Sequence, residues 1–217
     1  MQALTEILIE QGLADRILSE RQLERVIVGT PGSRYGLVNR ALRENELIRI
    51  RRGLYTLAPR YRREPAHPFV VAQSIEPGSY ASLETALSFH GWIPEAVRMT
   101  SSIIPGRKSS TLEHPLLGSF SFHPLALNAV HFLELIERRQ FGSQTALVAK
   151  PLRALMDLVA LRKLEWQGLQ WLTEGMRIDV QDLRRISRKE LETLTDVYKQ
   201  KRPRAFLQSL AKELGRD

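Results

Sequence analysis

The chain contains no cysteine. That single absence excludes disulfides, thiolate metal sites and a cysteine nucleophile. It also lacks any apolar run near the ~20 residues that a membrane span requires. The opening Met1-Gln2-Ala3-Leu4-Thr5-Glu6 has neither the basic start nor the apolar core of a secretory leader. A cytoplasmic protein without a membrane partner is expected. Histidine is scarce: His67, His90, His114, His123 and His131 are all there are, and no two have His-x-x-x-His spacing. His123 and His131, on neighbouring predicted strands, could meet, but two ligands fall short of a metal site. No metal or other cofactor is expected. A Gly-rich phosphate loop is missing too, because residues 104–110 lack the first glycine of a P-loop.

Acid is also in short supply. Against 32 Lys and Arg stand 24 Asp and Glu, a net charge of +8 and a pI near 10.1. Hydrophobic residues at 43% of 217 are enough for a packed core, which excludes a disordered or collagen-like chain. The length suits two small domains. A cationic surplus suggests a polyanionic partner, most often nucleic acid. Its distribution is uneven. Residues 30–63 hold nine basic and two acidic groups, whereas residues 1–29 hold three and five. Residues 64–146 are net −2 and residues 147–217 net +5.

Hydrophobic spacing predicts a helix over 2–18 with a break near Gly12. Ser19 and Gln22 have the spacing of a capping box for a second helix, Glu20 to Val28. After the turn at Gly29-Thr30-Pro31-Gly32, Ser33 is expected to cap a third helix reaching about Asn45. Val38, Ala41 and Leu42 mark its inward side. Arg34, Tyr35, Asn39, Arg40 and Arg43 are read as its outward side. Residues 47–57 then alternate apolar and basic around Gly53, as a short β-hairpin does. Three prolines and three arginines between 59 and 68 mark a boundary.

Beyond it, a helix is expected at 68–75 and another from a Ser82 cap to His90. Strands are expected at 99–104, 117–123, 128–135 and 145–149. A helix should start at Pro151, with Asp157 paired to Arg153 or Arg162. The tail from 180 to 215 should hold two or more helices, broken near Arg202-Pro203. The whole reads as an α+β protein. Residues 1–60 form a winged helix-turn-helix domain and 61–65 a linker. Residues 66–217 form a mixed domain with a small antiparallel sheet and C-terminal helices.

The order helix, turn, helix, basic hairpin points to duplex DNA. A helix fits the major groove, and side chains on its exposed face reach base edges. Arg34, Arg40 and Arg43 can pair with guanine, Asn39 with adenine, and Tyr35 can meet the backbone or a thymine methyl. Arg49, Arg51 and Arg52 on the hairpin suit phosphates or the minor groove. Thr30 and Ser33, at the third helix's start, could hold a phosphate. Secondary basic contacts are possible at Arg107 and Lys108 in a turn, and at Lys199, Lys201, Arg202 and Arg204 in the tail. No catalytic residue is expected. A metal-dependent nuclease is the rival enzyme, but Glu113 and Asp157 are not followed by an acidic-x-Lys strand.

These segments also carry a resemblance. Residues 15–61, with Ser33-Arg34-Tyr35 and Ile50-Arg51-Arg52-Gly53-Leu54-Tyr55-Thr56-Leu57-Ala58-Pro59, resemble the N-terminal domain of AbiEi-type antitoxins. The likeness continues in Tyr80-Ala81-Ser82-Leu83-Glu84-Thr85-Ala86-Leu87-Ser88-Phe89-His90-Gly91-Trp92, in Ile104-Pro105-Gly106-Arg107-Lys108 and in Lys150-Pro151-Leu152-Arg153-Ala154-Leu155-Met156-Asp157-Leu158. It covers most of residues 15–163. The resemblance implies a type IV toxin–antitoxin, or abortive-infection, system. Its antitoxin represses its own operon by binding inverted repeats, and the C-terminal domain is implicated in antitoxicity. The partner implied is a nucleotidyltransferase toxin, neutralised without a tight direct complex. The alternative is a stand-alone winged-helix regulator.

Overall fold

The computed structural model describes residues 3–216. Gln2, the expected first residue of the opening helix, lies outside that range. The chain divides into two compact units, residues 1–77 with 140–145, and residues 78–139 with 146–217. Together they form an α+β protein with one small antiparallel sheet and one larger mixed sheet. No helix among the described residues is long and apolar enough to cross a membrane.

In the first unit, α1 spans Leu4–Glu10 and ends before Gly12, whose φ of 68° leaves helical space. The predicted helix to residue 18 therefore stops early. Ile17–Ser19 is instead a strand, β1. Ser19 then serves twice. It ends β1 and caps α2, Glu20–Val26, through a reciprocal box: the Gln22 amide donates to Ser19 Oγ at 3.4 Å, and the Ser19 amide donates to Gln22 Oε1 at 2.8 Å.

The turn into α3, Pro31–Arg43, needs Gly29: φ is 132°, and a Cβ there would lie 2.4 Å from Ser33 Oγ. The cap of α3 is Thr30, not Ser33. Thr30 Oγ1 accepts the Ser33 amide at 3.3 Å, and Pro31 occupies the first helical position, where a missing N–H costs nothing. In mid-helix, Gly36 costs roughly 1 kcal/mol relative to alanine. Apart from its chain neighbours and the helix's own backbone, no described atom lies within 4 Å of where its Cβ would be.

β2 (Leu47–Arg51) and β3 (Leu54–Leu57) form the hairpin. The register runs Leu47 to Leu57 and Arg49 to Tyr55, then slips so that Arg51 faces Leu54. β1 joins the far side of β3, with Ile17 opposite Thr56, which gives the order β1-β3-β2. The core beneath is built from Leu4, Leu8, Leu23, Ile27, Ala41 and Leu57 among others, all nearly solvent-free.

Residues 61–65, where the sequence places a linker, are tied to the loop before β1. Arg62 donates to the Asp15 carbonyl at 3.0 Å and to Thr56 Oγ1. The Asp15 carboxylate accepts the Arg63 and Glu64 amides at 2.8 and 3.2 Å. Helix α4, Pro68–Ile75, closes this unit. The His67 ring stacks on Phe141, 3.7 Å between centroids.

The second unit carries β4 (Tyr80–Ala81), α5 (Leu83–Phe89), β5 (Met99–Ile104), β6 (Ser110–His114), β7 (Gly118–Pro124) and most of β8 (Ile136–Phe141) and β9 (Gln144–Ala149), whose residues 140–145 belong to the first. Helices α6 (Pro151–Arg162), α7 (Val180–Arg184), α8 (Arg188–Thr195) and α9 (Lys201–Glu213) follow. Its sheet is larger than expected and mixed rather than antiparallel. The order is β6-β7-β5-β4-β9-β8, with β5–β7 and β4–β9 parallel.

The expected strand at 128–135 is a 3-10 turn, Ala129–His131, and Val130 and Leu133 face solvent. The helical break in the tail falls at 196–200. Arg202-Pro203 lies in the first turn of α9, which tolerates proline because its amides have no helical acceptor.

At the centre of this unit is a buried ionic cluster. Asp157 accepts four bonds: Arg153 Nε at 2.9 Å, Tyr80 at 3.0 Å, Ser82 at 2.7 Å and Tyr198 at 2.8 Å. Arg153 also donates to the Glu134 carbonyl at 2.8 Å, the Phe132 carbonyl at 3.3 Å and the Tyr80 hydroxyl at 2.6 Å. Ser82 stands at the N-cap of α5 as predicted, but its hydroxyl turns to Asp157 instead of capping. Arg162 pairs with Glu84. Burial alone would lower the pKa of Arg153, but the Asp157 charge and the two tyrosines outweigh it, and the net shift is upward. Burial, and then the Asp157 charge, push both tyrosines well above their ordinary range. Arg153 is thus held charged, and both it and the Asp157 carboxylate are enclosed by hydrogen-bond partners, the condition under which buried charge is tolerated.

Candidate nucleic-acid interface

The turn of α3 decides which predicted residues share a face. Tyr35, Arg40 and Arg43 are exposed and Asn39 is half-buried. Tyr35 is 73% exposed, unusual for a large aromatic with no role in packing. Arg34 lies apart from Arg40 and Arg43, but it lines one cleft with Tyr35, Asn39 and Arg49. It sits four residues before Val38 and seven before Ala41, so helical periodicity puts it over the inward stripe. It is half-buried, and its Nε is buried without a partner.

Arg34 lines a cleft of about 370 Å³ between α2, α3 and the hairpin, together with Glu20 and Glu24. The floor includes Leu23, Ile27 and Tyr55. A second, open hollow of about 700 Å³ adjoins it, sharing Tyr35, Asn39 and Arg49. Tyr35, Gly36, Asn39, Leu42, Arg43 and Arg49 line it. The structure therefore brings Tyr35, Asn39, Arg43 and Arg49 together across two elements.

On the hairpin, Arg49, Arg51 and Arg52 are exposed. The Arg49 guanidinium lies over the Tyr55 ring, 5.9 Å from its centroid. Arg51 ends β2, and Arg52 occupies the turn with Gly53, whose φ of 75° suits a two-residue turn. The guanidiniums of Arg40, Arg43, Arg51 and Arg52 make no hydrogen bond or ion pair among the described residues.

Thr30 and Ser33 are occupied by the helix they start. Ser33 Oγ donates to the Thr30 carbonyl at 3.0 Å, besides the cap bond already described. With the Ser33 amide engaged and Pro31 lacking one, little of this helix end remains for a phosphate.

The secondary cations divide. Arg107 and Lys108 are exposed in the β5–β6 connection. Lys199 and Lys201 are exposed. Arg202 is paired with Glu165 at 3.4 Å and donates to the Lys163 carbonyl, and Arg204 Nε donates to the Tyr198 carbonyl at 2.8 Å. Sequence reasoning missed the Arg202 partners because they lie in a distant segment, and the Arg204 bond because it bridges the break between two helices.

The histidines do not converge. His90 Nε2 donates to the Ala149 carbonyl at 2.9 Å, His123 Nε2 meets Ser121 Oγ at 3.1 Å, and His131 faces Glu134. No group of three or more His, Asp or Glu among the described residues could hold a metal ion. Asp157, a candidate nuclease ligand on sequence, has its carboxylate enclosed by four donors.

No family model matches the chain, and no curated protein matches it significantly.

Proposed function

We propose that the first unit is a winged-helix module that binds duplex DNA, and that the protein is an autorepressing antitoxin of the AbiEi type acting in the cytoplasm. The observation that carries the first part is the set of four exposed guanidiniums on α3 and the β2–β3 hairpin, with no partner among the described residues. Supporting it is the element order α1-β1-α2-α3-β2-β3 over a β1-β3-β2 sheet, the arrangement expected of a winged helix. In this reading α3 enters the major groove and the hairpin lies along the adjoining backbone or minor groove.

Roles follow from placement. Arg40 and Asn39 face base edges, Arg43 reaches the flanking phosphate, and Tyr35 meets a thymine methyl or sugar. Arg49, Arg51 and Arg52 neutralise phosphates. Arg34, drawn into the cleft beside Glu20 and Glu24, supports the helix rather than reading sequence. Thr30 and Ser33 fix the start of α3.

The test is a salt series with a duplex taken from upstream of the protein's own gene. Log affinity should fall linearly with log salt, because each phosphate contact releases counterions. A flat response would overturn the DNA reading. The antitoxin part rests on the resemblance of residues 15–163. Co-expression with the adjacent gene tests it: toxicity of that gene alone, relieved by this protein, is expected. A neighbour that is not a nucleotidyltransferase would leave a stand-alone regulator.

A further inference from the structure

Gly36 is a cost without an internal reason. It sits in the middle of a 13-residue helix, exposed, with no described atom beyond its neighbours and the helix backbone within 4 Å of its absent Cβ. A glycine kept there weakens the helix unless something outside approaches closely. The open hollow that it lines supplies the second observation. Around Gly36 stand Tyr35, Asn39, Arg43 and Arg49, all able to donate hydrogen bonds, with Leu42 as an apolar wall. No carboxylate lines this hollow, whereas the adjoining cleft, which shares Tyr35, Asn39 and Arg49 with it, carries Glu20 and Glu24.

We propose that the hollow seats the sugar–phosphate backbone of one DNA strand, with Gly36 setting how closely α3 can approach it. The sugar lies against Gly36 and Leu42, and Arg43 and Arg49 close on the phosphate from α3 and β2. The strand is steered into this hollow and away from the adjoining cleft, where Glu20 and Glu24 stand. This rests on the DNA-binding reading above but adds a position, an orientation and a residue that limits depth.

Gly36→Ala tests it, because the two consequences have opposite signs. Alanine suits the helix better, so melting should rise by about 2–4 °C. Affinity for a random-sequence duplex at low salt should nevertheless fall about tenfold, with the salt slope unchanged, since a methyl group holds the backbone off without removing a charge. Arg43→Ala should instead flatten the slope by about one. If the wild type binds no duplex at low salt, the DNA reading itself fails. If the wild type binds and Gly36→Ala binds as tightly, the hollow is not the backbone seat. Melting that falls instead of rising would show that Gly36 is needed by the fold, which also overturns the proposal.

Discussion

The two units use arginine in opposite ways. In the second, Arg153 has no exposed surface and every nitrogen of its guanidinium is engaged, while Arg162, Arg177, Arg185, Arg188 and Arg202 face carboxylates. In the first, Arg40, Arg43, Arg51 and Arg52 stand in solvent with no partner among the described residues. Surplus charge is therefore a poor guide by itself. A paired arginine belongs to the architecture, and an unpaired one on an ordered helix or hairpin is available to something else. The +5 of residues 147–217 and the +7 of residues 30–63 look alike in composition, yet they mean different things in space.

The sharpest break in this contrast is at Asp157. Asp157→Ala leaves Arg153 charged and buried without its counterion. A loss of about 3–5 kcal/mol is expected in chemical denaturation. Replacing the pair together, Arg153→Met with Asp157→Leu, should cost less than that single change, because no orphan charge remains. A double variant no more stable than Asp157→Ala would mean that the tyrosine and serine bonds, not the ion pair, hold the cluster.

Next comes Arg40→Ala on the open surface. Folding stability should stay within about 0.5 kcal/mol of wild type. DNA affinity should fall by about 1–3 kcal/mol with relaxed specificity, seen in competition between operator and random duplex. Arg52→Ala should weaken all duplexes alike and lower the salt slope by about one. Equal effects of the two substitutions on specificity would erase the proposed division between groove and hairpin.

Smaller still is Ser19→Ala, which removes an oxygen that accepts the Gln22 amide at the start of α2. About 1 kcal/mol of stability should be lost.

The last expectation concerns pH. His67, His90 and His123 are lowered from their ordinary value mainly by burial, and for His90 the Ala149 carbonyl and Glu137 only partly oppose this. Their unfolded forms bind protons first as pH falls, so stability is full above about 6.5 and declines below it. Melting temperature measured between pH 7.5 and pH 5 should fall. His90→Gln should reduce that fall, and an unchanged slope would remove His90 from the account.

What was legible depended on distance along the chain. The Ser19–Gln22 box and the Arg153–Asp157 pair lie within one helical turn, and both were readable as spacings. The hairpin was readable because Gly53 divides two alternating runs. β1 was not, because three residues show no alternation and its partner β3 lies far along the chain. β6 and β8 escaped for another reason. They are edge strands, and their polar sequences carry little pattern. Thr30 was legible in principle, since a threonine before proline is a helix-start signal. Arg34's half-burial was legible in its angle, for its place relative to Val38 and Ala41 was already fixed. Tyr80, Ser82 and Tyr198 gave no hint of converging on Asp157, because only the tertiary fold brings them there.

The slip in register between Arg49 and Arg51 has a consequence for the hairpin's parity. One extra residue on β2 lets the strands close over Arg52 and Gly53, and Ile50 stays buried at that step. Deleting that one residue would leave the net charge untouched. It would still exchange which of the neighbouring side chains look outward and which look inward. Two chains with the same count of arginines could then present different faces to the same partner. In this segment, the counting frame of the strand governs what is displayed as much as the letters do.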